Sequence, residues 1–397
     1  MTTISTLGQA LNQIENIQNQ QATFADLSTQ LTTGRRAQTF SGLGTDTLTS
    51  IRSRTDLTSI DVFINNITRA DTTINLTLAS VEEFQAQTNN LADTLIGLVQ
   101  EGSHQTGQDV LFDDPSTQEI EQIVVGNTSS QLDVSLQSVI SQAESLFPIV
   151  EDLLNAQEGE TFLLAGADGT VQPFEDNGLL DSSISTLLER WREGLITTDD
   201  LIADLFDGTA LEGNPDAITD TTIGFSASIS NDNAGRVFVR ADENREFEYT
   251  TLANESSLRD VIVSLAVLSN ENLPPVVDVF EDGNFSATPD AQGAPGETAA
   301  EQQDSFYELY NAITQRVVSS IDEIDNVRFR LETVRVQANE TLERQEEQRN
   351  LLLNTVSAIE DVDTNLVALQ LTTLQTQIEA SFRVTALTQN LTLSNFL

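Results

Sequence analysis

The feature that most constrains this chain is where proline is missing. All eight prolines lie between Pro115 and Pro295. The long stretches on either side are free of the residue that removes a helical hydrogen bond and clashes with the preceding turn. Within those stretches apolar residues recur every three or four positions. Ile4, Leu7, Leu11, Ile14, Ile17, Phe24, Leu27 and Leu31 form a narrow seam, interrupted over Gln18–Gln21, with Gln, Asn, Thr and Ser between them. That spacing predicts an amphipathic helix with a stripe of coiled-coil width, ended by Gly34. After the Gly42 and Gly44 loop a second helix starts near Thr47. Its seam runs through Leu57, Ile60, Ile64, Ile67, Ile74, Leu78, Val81 and Phe84 to Leu98. Gly102 and Gly107 interrupt it, and a further helix is expected from Ser116 to about Gln157, with Gly126 and Pro148 as break points.

The other end repeats the pattern. Ile313, Val317, Ile321, Ile324, Val327, Leu331 and Val334 step by three and four, and a second seam follows through Val362, Leu366, Leu369, Ile378, Phe382 and Leu387. The chain closes on Leu391-Thr-Leu393-Ser-Asn-Phe396-Leu397.

Between them the period changes. Thr161–Gly166 reads as a strand entering a turn, and Ser182–Phe206 as a helix carrying the single tryptophan, Trp191. Thr222–Ile229 and Arg236–Val239 read as a hairpin around Asn231–Gly235, Glu246–Thr250 as a third strand, and Leu258–Leu268 as a helix face. Residues 271–299, rich in Pro, Gly, Asp and Asn, read as a loop. The fold class is therefore mainly α: long N- and C-terminal helices forming an α-helical coiled-coil core, with a small α+β domain inserted mid-chain. The segments are 1–44, 45–160, 161–299, 300–355 and 356–397.

Charge follows the same division. The 397 residues hold 62 acids and 18 basic residues, all of them Arg, for a formal net charge of −44. Residues 1–60 balance Glu15, Asp26, Asp46 and Asp56 against Arg35, Arg36, Arg52 and Arg54, and residues 364–397 balance Glu379 against Arg383. Residues 61–363 thus carry the whole excess. Such a chain is not a nucleic-acid binder, because phosphate recognition needs clustered positive charge. No apolar run reaches the ~18 residues of a membrane span. The absence of Cys removes disulfides and thiolate sites. The opening Met1–Gln9 lacks the basic start and apolar core of a secretory signal, so export without a cleaved signal is expected.

A two-residue-wide stripe cannot hold a helix of about 30 residues folded alone in water. Neutral, Gln/Thr/Ala-rich surfaces can be buried against copies of themselves without stranding ions. A repeated interface that does not close into a ring generates a filament or tube. The assembly-interface residues expected are Ile4, Leu7, Leu11, Ile14, Ile17, Phe24, Leu27 and Leu31 at one end. At the other they are Leu366, Leu369, Ile378, Phe382, Leu387, Leu391, Phe396 and Leu397. No catalytic, cofactor-binding or metal-binding residues are expected. His104 would need partners and a pocket to act as a base, and its place between helices, flanked by Gly102 and Gly107, reads as a surface loop. Asn231-Asp-Asn-Ala-Gly235 lacks the closing acid of a calcium loop. Trp191 with Leu187, Leu188 and Leu195 reads as a small core rather than a partner site.

Several motifs carry a resemblance. Leu27-Ser-Thr-Gln-Leu31-Thr-Thr-Gly34-Arg-Arg36 resembles the L-x-x-x-L-S-T-G-K/R-R pattern of the bacterial flagellin family, although Thr39–Thr45 stands where that family has D-D-P-A. Ala358–Asp363 resembles its I-x-D-x-D element, and Leu366–Thr376 its terminal assembly helix. Phe162–Phe174 and the ending Leu393–Leu397 resemble the hook-associated branch of the family, at the hook–filament junction. The resemblance implies a structural, non-enzymatic, extracellular flagellar subunit that forms a homo-polymer, with 1–44 and 356–397 in an inner layer, 45–160 and 300–355 in the next, and the insert outermost. It implies other flagellar axial proteins (hook-associated proteins and flagellin) as partners, and an export chaperone with the type III export apparatus. Filament-forming flagellin is the alternative, and a secreted adhesin or carbohydrate-binding protein on a coiled-coil stalk a more distant one.

Overall fold

The computed structural model describes residues 6–103, 108–113, 120–125, 129–207, 217–230, 235–270, 273, 294–295 and 299–394. The chain forms two compact units, residues 1–65 with 341–397, and residues 66–340.

In the first unit helix α1 (Thr6–Thr33) ends at Gly34, whose φ of 71° is left-handed and whose amide caps Gln30 at 2.8 Å. A short 3₁₀ segment (Phe40–Asp46) leads into α2 (Thr47–Ser103). The unit is completed by the end of the long helix that runs from Ala299 to Glu360 and by a last helix, Thr364–Ser394. Asp363 starts that last helix by accepting the amides of Asn365 (2.9 Å) and Leu366 (3.3 Å), the arrangement that satisfies orphan first-turn donors. The Thr6–Thr33 and Thr364–Ser394 helices pack on each other.

The second unit is held by a heptad seam. On the Ala299–Glu360 helix, Phe306, Tyr310, Ile313, Val317, Ser320, Ile324, Val327 and Leu331 are all buried. Their alternating spacing of four and three keeps one face toward a partner. Helix α2 answers with buried Ile67, Ile74, Leu78, Val81, Phe84, Leu91, Leu95 and Leu98, and α3 (Ser129–Leu154) with Leu136, Val139, Ala143, Leu146, Val150 and Leu154. Burial of each such side chain is worth roughly 1.5–3 kcal/mol. Pro148 sits inside α3 rather than ending it.

The rest of the unit is small and mixed. Helices α4 (Leu179–Arg192), α5 (Thr198–Phe206), α6 (Asp220–Ile223) and α7 (Ser256–Leu268) enclose a core containing Trp191, Leu187, Leu188, Leu205 and Val263. Strands pair only in twos: β1 (Gln108–Asp113) with β2 (Ile120–Val125), β3 (Gln157–Glu158) with β4 (Thr161–Phe162), and β5 (Phe238–Asp242) with β6 (Arg245–Glu248), all antiparallel.

Five sequence expectations need correction here. Within the helix expected from Ser116, Ile120–Val125 is instead the second strand of a hairpin, and the described helix runs over Ser129–Leu154. The single helix over 182–206 is two helices. Gly194 (φ 69°) donates to Trp191 and Leu195 donates to Arg190, which together close α4 in a left-handed cap. The Thr197–Asp200 capping box then starts α5. The hairpin expected around 231–235 lies one strand later. Residues 220–230 form a helical turn and bends, and Phe238–Asp242 pairs with Arg245–Glu248. Glu246–Thr250 is therefore the second strand of that hairpin, and only Thr161–Phe162 of the 161–166 run is strand. His104, residues 231–234 and most of the 271–299 loop lie outside the described residues.

Candidate assembly surface on the terminal helices

The two terminal segments are tied together at one place. Gly34 accepts the Val362 amide at 3.0 Å, Arg36 donates its amide to the Glu360 carbonyl at 2.6 Å, and Arg35 and Asp361 form an antiparallel bridge. Glu360, only 6% exposed, turns its carboxylate to α2. Oε1 accepts from Ser50 Oγ and from Arg54 Nε, each at 2.6 Å, and Oε2 accepts from Arg54 Nη2. The Arg54 hydrogen bonds above all, opposed by burial and helped by Ser50, bring the Glu360 carboxyl down to about 2. A charged group this enclosed needs such a two-point partner. Farther along, Arg349 Nε meets Asp61 at 2.7 Å across the same pair of helices.

Beyond the tie, helices α1 and Thr364–Ser394 each show an inner and an outer face. On α1 the half-covered positions are Gln13, Ile17, Gln20, Phe24, Leu27 and Gln30. On the last helix Val367 is buried, and Leu371, Leu374, Ile378, Ser381 and Thr385 are half-covered. Both sets step by three and four, so each marks one stripe, and Ser381 Oγ donates to Gln20 Oε1 at 3.3 Å. Two polar residues sit in the α1 stripe for each apolar pair, which makes this a thin two-helix contact.

Of the expected assembly residues, Ile17, Phe24, Leu27 and Ile378 lie in those half-covered stripes. Leu11, Ile14, Leu31, Leu366, Leu369, Phe382 and Leu387 are exposed, Leu369 by 65% and Leu387 by 62%. Leu7 and Leu391 are described as helical backbone only, and Ile4, Phe396 and Leu397 lie outside the described residues. Val384, also exposed, was missed by the sequence reading. It falls between the three- and four-residue steps that pick out Phe382 and Leu387. The outcome is an outer surface carrying several large apolar side chains and almost no charge, an arrangement that marks interaction sites on folded proteins.

Among the described residues no cluster of His, Cys, Asp or Glu is placed to hold a metal ion, and no helix is long and apolar enough to cross a membrane.

Residues 314–397 match the family model described as the bacterial flagellin C-terminal helical region. The C-terminal helices are flagellin-like. The flagellin-like region takes in most of the Ala299–Glu360 helix and the entire Thr364–Ser394 helix, and with them the Glu360 tie and the exposed Leu366, Leu369, Phe382 and Leu387. No curated protein matches the chain. Among solved structures it is similar to that of a putative flagellar hook-associated protein from Vibrio parahaemolyticus, at 9% identity and a TM-score of 0.38, over 77% of this chain and 97% of that one.

Proposed function

We propose that this chain is a structural subunit of the bacterial flagellum that self-assembles through its two terminal helices. The observation that carries the reading is the apolar, sparsely charged outer face of those helices. Leu11, Ile14, Leu366, Leu369, Phe382 and Leu387 stay exposed after the helices have packed on each other, and the last four lie inside the segment matched to the flagellin C-terminal region. A helix pair with so thin an inner seam and so apolar an outer face gains most of its stability from further copies.

Within that role we favour the hook–filament junction, on the strength of the Phe162–Phe174 and Leu393–Leu397 motifs, with filament flagellin as the second position. Segments 1–44 and 356–397 would form an inner layer, 45–160 and 300–355 the next, and 161–299 the outer face. Flagellin and hook-associated proteins would be its axial neighbours, and an export chaperone and the type III apparatus would deliver it.

The test compares the full chain with versions lacking residues 1–40 or 360–397, by sedimentation and negative-stain microscopy. Polymers from the full chain and monomers from both truncations are expected. Monomeric behaviour of all three, with unimpaired motility in cells lacking the gene, would sink the reading. Immunogold labelling separates the positions: a single band at the hook tip means junction, and labelling along the filament means flagellin.

A further inference from the structure

The second unit contains a cleft of about 400 Å³ that helix packing does not require. Arg69 and Thr73 line it from α2, Glu158 and Phe162 from the β3–β4 hairpin, and Tyr249 and Thr251 from the segment after β6. Its volume is that of small-ligand sites.

The polar groups there are only partly satisfied. Glu158 Oε2 accepts from Thr73 Oγ1 at 2.6 Å, and no hydrogen bond to Oε1 occurs among the described residues. Thr251 is 2% exposed, and its enclosed hydroxyl has no hydrogen-bond partner among the described residues. A buried hydroxyl left so costs about 1–3 kcal/mol. Burial first, and the nearby Glu158 charge second, push the Tyr249 phenol above its ordinary value, so it stays protonated and able to donate. Arg69 is exposed and makes no ion pair among the described residues.

We propose that this cleft is a binding site for a neutral, pyranose-sized saccharide. Such a ring has apolar C–H faces for the Phe162 and Tyr249 rings and a rim of hydroxyls that both donate and accept. Glu158 Oε1 would take a ligand hydroxyl proton in a charge-assisted bond. Arg69 and the Tyr249 hydroxyl would donate to ligand oxygens. A neutral ligand is favoured because a net charge of −44 repels anions from the surface around the cleft. The inference stands independently of the assembly reading.

Saturation-transfer NMR on the full chain, with D-glucose, D-galactose, D-mannose, L-rhamnose and D-glucuronate as probes, tests it. At least one neutral sugar should receive saturation and titrate with a Kd on the order of 1 mM. Glu158→Gln should weaken that binding about tenfold. Arg69→Gln, at an exposed helical position, should weaken it severalfold, which keeps the test valid if Glu158→Gln fails to fold. Saturation of no sugar, saturation of glucuronate alone, or affinity unchanged by both Glu158→Gln and Arg69→Gln would overturn the proposal.

Discussion

Glu360 and Arg54, 306 residues apart in sequence, form a two-point ion pair in which both nitrogens of one edge of the guanidinium reach the two carboxylate oxygens. The acid is nearly enclosed and the arginine side chain is 42% exposed. The pair joins the last turn of the Ala299–Glu360 helix to the early turns of α2 and flanks the backbone bridge between residues 34–36 and 360–362. Because the folded carboxyl titrates near 2, below its ordinary value of 4.5, the stabilisation is complete above that ordinary value. It is lost as the pH falls toward 2. The protection of the Arg36 and Val362 amides, taken relative to their intrinsic exchange rates, should therefore fall between about pH 4.5 and 2. In Glu360→Gln those amides should exchange faster at pH 7 and lose that acid dependence. Arg54→Met should loosen the same amides by about 1–3 kcal/mol, less than for a fully buried pair because water reaches the guanidinium.

The second unit should respond to pH in the opposite sense at one position. Asp260 on α7 is largely buried, and its carboxyl is pushed up to about 6 by that burial. Arg316 (3.6 Å away) and Arg259 oppose the shift, while Glu323 and Asp207 add to it. A carboxyl raised above its unfolded value holds its proton in the folded state after the unfolded chain has released it. Stability is then lost as the pH rises from about 4 through 6. Asp260→Asn should remove that slope and raise the stability of the unit at pH 7 by on the order of 1–3 kcal/mol. Thermal denaturation of wild type and variant at pH 4.5 and 7 checks it, and an identical slope in the two proteins would refute the assignment.

The heptad seam makes a sharper demand. Ile324 and Leu331 are fully buried, whereas Phe329 on the same helix is 71% exposed. Leu331→Ala or Ile324→Ala should cost about 2–5 kcal/mol, the transfer loss plus the cavity left behind. Phe329→Ala should stay within about 0.5 kcal/mol in the monomer, despite removing the larger side chain. Urea unfolding followed by circular dichroism gives both values.

The long helices were legible because their evidence is redundant: many turns repeat one spacing, and no proline interrupts it. The short strands were not. Ile120, Ile123 and Val124 stand at three- and four-residue steps, so the second strand of the first hairpin imitates a helix seam. Only its pairing with Gln108–Asp113 distinguishes it, and that pairing is non-local. The Phe238–Asp242 strand finds its partner after Glu243–Asn244, while the glycine-rich turn signal lay earlier, at Asn231–Gly235. The terminal seam was legible as apolar but not as to side. Leu366, Leu369 and Phe382 share the last helix with Val367, Leu371 and Leu374. Periodicity admits both sets, and only packing against α1 shows which set is covered.

That division of the last helix gives the most direct test of the assembly surface. Leu369 and Leu387 are exposed in the isolated chain, so a charge there meets only water. Leu369→Glu and Leu387→Glu should leave the monomer's thermal midpoint and helicity unchanged. The same charges buried among copies would be desolvated without a partner, at several kcal/mol each, and polymerisation should stop. Leu374→Glu, on the half-covered inner face, should instead loosen the α1 contact in the monomer itself, visible as faster exchange along Ile17–Leu27. Salt separates the contributions further. With the −44 confined to residues 61–363, screening over a Debye length of about 10 Å at 0.1 M should promote assembly of the wild type. It should not rescue the outer-face variants, whose defect is desolvation rather than long-range repulsion. Polymers formed by Leu369→Glu as readily as by wild type would remove the outer face from the interface. Wild-type assembly that weakens steadily with salt would remove the acidic middle from the solvent-facing side.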